Sequence, residues 1–101
     1  MNPAPRFVCT IEPEDVPRRG EQVAQLARHL TEHATDGERH QRLTFPASAA
    51  TLVEEFVRDE STCCSFFTFE VEPAGESVHL HIGAPEGAED ILDGLLDALG
   101  R

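Results

Sequence analysis

The chain has 101 residues, room for one domain with one core and too few for two. Lys and Arg total 8 against 19 Asp and Glu, a formal charge of −11, and that balance repels the phosphates of nucleic acid and of a bilayer surface. Hydrophobic residues make up 40% of the chain, enough to fold without covalent staples, and with Trp and Tyr absent the core rests on Leu, Val, Ile and six Phe.

Residues 1–6 are expected to form a flexible tail, and 7–101 a single α/β domain. The stretch Phe7-Val8-Cys9-Thr10-Ile11 alternates with period two, placing Phe7, Cys9 and Ile11 on one face of a strand. Pro13 followed by Glu14 and Asp15 is a helix-start signal. The helix is expected to run to about Ala34, with Val16, Val23, Leu26, Ala27, Leu30 and Ala34 as its apolar stripe. Thr35-Asp36-Gly37-Glu38 is turn chemistry. A second strand follows near Gln41–Phe45, with Leu43 and Phe45 inward. A helix from about Ala49 to Ser61 then carries Leu52, Val53, Phe56 and Val57 on one side.

The clearest unit is a hairpin, Phe66–Glu72 and Ser77–Gly83, joined by Pro73-Ala74-Gly75-Glu76. Pairing Glu72 with Ser77 sets Val71 opposite Val78, Phe69 opposite Leu80 and Phe67 opposite Ile82. All six then share one apolar face, and His79 and His81 point the other way. Pro85 opens a last helix whose apolar side is Ile91, Leu92, Leu95, Leu96 and Leu99. The order β-α-β-α-β-β-α predicts a two-layer α/β sandwich, a four-stranded mixed sheet with helices mainly on one face. No apolar run reaches the roughly 18 residues of a membrane span, and the N-terminus lacks the basic and apolar regions of a signal peptide, so a cytoplasmic address is the expectation.

Cysteines number three, and two of them, Cys63 and Cys64, are adjacent. That is no disulfide framework; in a reducing compartment such thiols serve metal binding, redox chemistry or packing. Projected at about 100° per residue, Glu60 falls near the middle of the apolar arc of the second helix. If that helix continues one turn, Cys63 and Cys64 stand at i+3 and i+4 from Glu60, on the same face. A carboxylate facing inward needs a partner. Arg19 interrupts the stripe of the first helix and would supply it. Such a pair also suits a purely structural role, setting helix–helix register. The partial negative charge at a helix C-terminus disfavours a free thiolate, whereas a bound soft cation reverses that penalty. The electrostatics favour metal ligands over a spontaneous nucleophile.

The segment Glu60-Ser61-Thr62-Cys63-Cys64-Ser65-Phe66-Phe67-Thr68-Phe69-Glu70, preceded by Leu52-Val53-Glu54-Glu55-Phe56, resembles a small bacterial family of unassigned activity. Its motif is Glu, two variable residues, a Cys-Cys pair, usually Pro, then Phe and further aromatic or apolar residues. Cys9-Thr10-Ile11 and Ile82-Gly83-Ala84-Pro85-Glu86-Gly87-Ala88 also look like that family, so the likeness spans nearly the whole chain. Ser65 stands where Pro is usual. Such proteins are often encoded near heavy-metal resistance functions, and the resemblance therefore implies soft-metal handling by Cys9, Glu60, Cys63 and Cys64, with Arg19 in support.

Adjacent thiolates suit one thiophilic ion, and Cys9 would complete a trigonal set. The candidates are mercury, arsenite, copper(I) and zinc, although zero residues between cysteines fits structural zinc poorly. No organic cofactor is indicated. A weaker second site is the pair His79 and His81 with Glu70 on the opposite sheet face, a His-x-His arrangement able to hold zinc but better suited to solvated surface or a homodimer interface. His29 and His33, at i and i+4 on the first helix, read as surface residues.

Three function classes stand. The first is a non-enzymatic thiol site for a soft metal or metalloid, used for sequestration or hand-off. The second is a thiol redox or organometal-cleaving enzyme using Cys63, Cys64 and Glu60. The third is a non-catalytic domain that dimerises through its sheet.

Overall fold

The strongest alternation in the chain folds as the hairpin it implies. In the computed structural model, which describes residues 14, 16–37, 39–63 and 66–100 without the Cys63 side chain, strands β3 (Thr68–Ala74) and β4 (Ser77–Gly83) pair antiparallel. Ahead of them come helix α1 (Val16–His29), strands β1 (Glu32–Thr35) and β2 (His40–Pro46), a single 3-10 turn at Ala47–Ala49 and helix α2 (Ala50–Cys63). Helix α3 (Glu89–Ala98) ends the fold. Among the described residues four strands form one antiparallel sheet in the order β1-β2-β4-β3. The architecture is a two-layer α/β sandwich. The expectation of a mixed sheet drew on a strand at Phe7–Ile11, which lies outside the described residues, as does the tail 1–6.

Two faces of the sheet follow from period-two alternation. Leu43 and Phe45 of β2 and Val78, Leu80 and Ile82 of β4 are buried in one cluster with Leu26 of α1, Val53 and Phe56 of α2, and Leu92 and Leu96 of α3. Phe69 and Val71 of β3 pack against that cluster, and the Phe56 and Phe69 rings meet edge to face at 6.1 Å. The other face carries His40, Arg42 and Thr44 of β2, His79 and His81 of β4, and Thr68, Glu70 and Glu72 of β3.

The hairpin keeps the expected parity but not the expected partners. Val71 lies across from Leu80 and Phe69 across from Ile82, two residues from the pairing that a four-residue connection would give. The connection is shorter: Pro73 and Ala74 belong to β3, and Gly75-Glu76 alone turns the chain. Gly75 takes φ +66°, the first position of a type II′ turn, where the sheet twist favours a positive φ. Proline is tolerated in β3 because this strand is an edge and can forgo a ladder donor. A shift of two restores every side chain to its own face, so the apolar pattern by itself does not choose between the two registers.

The first helix stops at His29, five residues short of Ala34. Leu30 and Ala34 continue the helical spacing, but the backbone there finds better partners across the sheet. Thr31 N donates to Thr44 O at 2.9 Å, Thr31 Oγ1 donates to the same oxygen at 3.0 Å, and Glu32–Thr35 pairs with Gln41–Thr44. His33 is thus a strand residue bonded to Gln41 at 2.6 Å, and not a helix-surface histidine. Val16, assigned to the buried stripe, is 52% exposed at the first position of α1. The last helix begins at Glu89, after a turn closed by the Ala88 N–H donating to Pro85 O at 3.1 Å.

Phe56 is fully buried between the helices and the sheet. Phe56→Ala is expected to lower unfolding free energy by about 3–5 kcal/mol in urea titration, against less than about 0.5 kcal/mol for Val16→Ala.

Candidate functional site

Helix α2 buries one row of side chains, Val53, Phe56 and Glu60, at i, i+3 and i+7. Glu60 is the charged member of an otherwise apolar row and is only 7% exposed. On α1, Arg19 lies seven residues before Leu26 on the matching row and is 8% exposed. The two meet: Arg19 Nη2 donates to Glu60 Oε2 within the helix–helix contact. Arg19 Nε also donates to Gln22 Oε1 at 3.2 Å, and Gln22 Nε2 in turn donates to Asp59 Oδ2 at 3.0 Å. Arg18 Nη1 reaches the same Asp59 oxygen at 3.2 Å from the solvent side. Thus α1 grips two consecutive acids of α2 with Arg18, Arg19 and Gln22.

The two acids titrate in opposite directions. Burial raises the Glu60 pKa above its ordinary 4.5, outweighing the attraction and hydrogen bond of Arg19, and the neighbouring charge of Asp59 adds to the rise. Asp59 also feels burial most strongly, which pushes upward, but the hydrogen bonds from Gln22 and Arg18 and the charges of Arg18 and Arg19 together hold it below its ordinary value. Glu60 is therefore the more basic carboxylate, held at the end of α2.

Helix α2 continues through Cys63, one turn beyond Glu60. The side chain of Cys63, and Cys64 and Cys9 altogether, lie outside the described residues. Of the sequence-derived thiol set, the structure brings together the supporting pair Arg19 and Glu60.

The open sheet face holds a second group. His81 is the centre of it: Nε2 donates to Glu72 Oε1 at 2.8 Å, the ring stacks on His40 with centroids 5.5 Å apart, and His79 lies edge-on at 6.3 Å. His79 is tied to Thr44 through Nδ1 at 2.9 Å. The register places Glu72 across from His79 and Glu70 across from His81, where the sequence alone suggested Glu70 for His79 and Thr68 for His81. The His81 hydrogen bond is the first cause of a lowered pKa at exposed Glu72.

Asp36 and His40 join His81, each offering one ligand atom, and the three atoms lie within 4.8 Å of one another. Neither Asp36 nor His40 was marked by sequence reasoning. Their approach to His81 depends on β2 pairing with β4 across thirty intervening residues, and no local spacing reports that. A parity argument applied to β2 would have put His40 on the histidine face.

No helix among the described residues is long and apolar enough to cross a membrane. Compared with protein-family models, with curated proteins and with solved structures, the chain matches none.

Breaking a buried ion pair from one side strands the other charge. Arg19→Leu is expected to destabilise the fold by about 3–5 kcal/mol near neutral pH, and Arg19→Leu with Glu60→Leu to recover most of that loss. The sign with pH is fixed by Glu60: because its folded pKa is raised, the native state holds the proton more tightly than the unfolded chain. Its stabilising contribution is complete below about 4.5 and is lost as pH rises through the folded value. The Arg19→Leu deficit should therefore shrink as pH falls toward 4.5, and Glu60→Gln should flatten this part of the stability–pH curve in denaturant titrations.

Proposed function

We propose that the protein is a cytoplasmic thiol site that takes up a soft metal or metalloid ion through Cys63 and Cys64, for sequestration or hand-off. The observation that carries this reading is the buried Glu60–Arg19 pair near the end of α2, one helical turn before Cys63, which Cys64 follows in the sequence. A carboxylate kept basic by burial is suited to accept the protons that thiols release as they bind an ion. Arg19 fixes where that carboxylate points. Adjacent sulfurs select thiophilic ions such as mercury, arsenite or copper(I) over hard cations. The likeness of the Glu60–Phe67 segment to proteins encoded near heavy-metal resistance functions supports the same class of cargo.

Cys9 is proposed as a third ligand. In that arrangement the ion is held by three thiolates, and its loss leaves two thiolates with Glu60 or water. An enzyme reading uses the same groups, with Glu60 protonating the carbon released from an organometal. It differs by turnover.

Titration of the reduced protein with mercury(II), arsenite and copper(I), read by sulfur-to-metal charge-transfer absorption, is expected to give one tight site per chain. Cys63→Ser or Cys64→Ser should weaken it by at least about a hundredfold, because a hydroxyl stays protonated near neutral pH and is a hard ligand. A large loss with Cys9→Ser identifies the trigonal site, and a small one the two-thiolate site. Affinity should fall as pH drops, since protons compete for the sulfurs. Equal weak binding by wild type and the Cys63→Ser, Cys64→Ser double variant ends the metal reading. Multiple turnover of an organomercurial replaces it with the enzyme.

A further inference from the structure

Apart from the thiols, the open face of the sheet gathers the donor set of a different kind of metal. We infer that Asp36, His40 and His81 form a site for a borderline divalent transition ion of the zinc class, independent of the cysteines and of the soft-metal reading. Their ligand atoms already lie within 4.8 Å of one another, close enough for one ion to draw them together by small side-chain adjustments. Two imidazoles and a carboxylate are donors that suit zinc, and three protein ligands leave a fourth tetrahedral position for water.

The backbone prepares this arrangement. Asp36 and His40 stand at the two sides of the β1–β2 turn, which is closed by the Asp36 N–H donating to His40 O at 2.9 Å. The β2–β4 register then sets His40 across from Gly83, two residues from His81. Gly83 keeps the floor beside the histidines low: a Cβ there would collide with Thr68 Oγ1. The result is an open groove of about 310 Å³ lined by His40, Thr68, Phe69, Glu70, His81 and Gly83.

His81 is oriented as metal-binding imidazoles are. Glu72 accepts a hydrogen bond from Nε2 at 2.8 Å, which leaves Nδ1 as the lone pair open to an ion. Glu70 lies directly across from His81 on β3 and adds negative charge to the groove wall. Arg42, across from His81 on β2, opposes a cation, and the carboxylates of Asp36, Glu70 and Glu72 offset it. This set differs from the sequence-derived trio of His79, His81 and Glu70: His79 is engaged by Thr44 through Nδ1, and His40 and Asp36 take its place.

The decisive experiment uses the full chain carrying Cys9→Ser, Cys63→Ser and Cys64→Ser, titrated with zinc by calorimetry. One zinc per chain is expected. His40→Ala or His81→Ala in that background should weaken it by at least about tenfold, and Glu72→Gln by about tenfold through lost orientation of the His81 ring. In wild type, where folding is not in question, two equivalents of zinc, enough to fill the thiols as well, should shift the ring resonances of His40 and His81 in heteronuclear NMR and leave that of His29, exposed on α1, in place. Zinc that leaves those two rings unmoved, or that binds the cysteine-free chain equally well after His40→Ala and His81→Ala, overturns the inference. A wild type that binds zinc in this way but takes up neither mercury(II), arsenite nor copper(I) would sink the thiol reading and leave this one standing.

Discussion

The Arg19–Glu60 ion pair is the constraint around which the helical layer is arranged. Two charges removed from water recover that cost only when geometry is good and their remaining hydrogen-bonding capacity is met. Arg19 meets it with Gln22 as well as Glu60, and Asp59 beside the pair is held by Gln22 and Arg18. An apolar contact would tolerate sliding of α1 along α2 by a fraction of a turn; a buried guanidinium on a buried carboxylate does not. The register of the two helices is tied to that contact.

The same pair shapes the chemistry assigned to the end of α2. The helix terminus contributes partial negative charge, and Glu60 contributes more when ionised. Both favour positive charge, either a proton or an ion, at this end of α2. Burial raises the proton affinity of Glu60, and the charge and hydrogen bond of Arg19 oppose that rise. In the cargo site proposed above, a carboxylate able to return a proton to a thiolate would provide a route for release.

Much of this was legible in the residue pattern. Arg19 and Glu60 each break an apolar helical stripe, and two interruptions of opposite charge in facing helices have one economical solution. The core parity of the hairpin was legible for the same reason, since Val78, Leu80 and Ile82 alternate with His79 and His81. The exact hairpin partners were not, because a shift of two leaves both faces intact and turn length decides between the registers. Strand β1 was hidden by Leu30 and Ala34, which keep helical spacing while the backbone of Thr31–Thr35 is claimed by β2. The Asp36–His40–His81 group was hidden more deeply. It exists only because β2 lies beside β4, a long-range pairing that leaves no mark on the local sequence.

The sheet thus has two unlike faces. Its inner face supports the helices; its outer face carries imidazoles and carboxylates. The proposed function rests on the thiols. Mercury L-edge X-ray absorption of the reduced chain with one equivalent of mercury(II) tests it most directly, because it counts the donor atoms by element. Coordination by two or three sulfurs, with no nitrogen or oxygen at bonding distance in the three-sulfur case, is the predicted result. A coordination sphere made of nitrogen and oxygen would contradict the account.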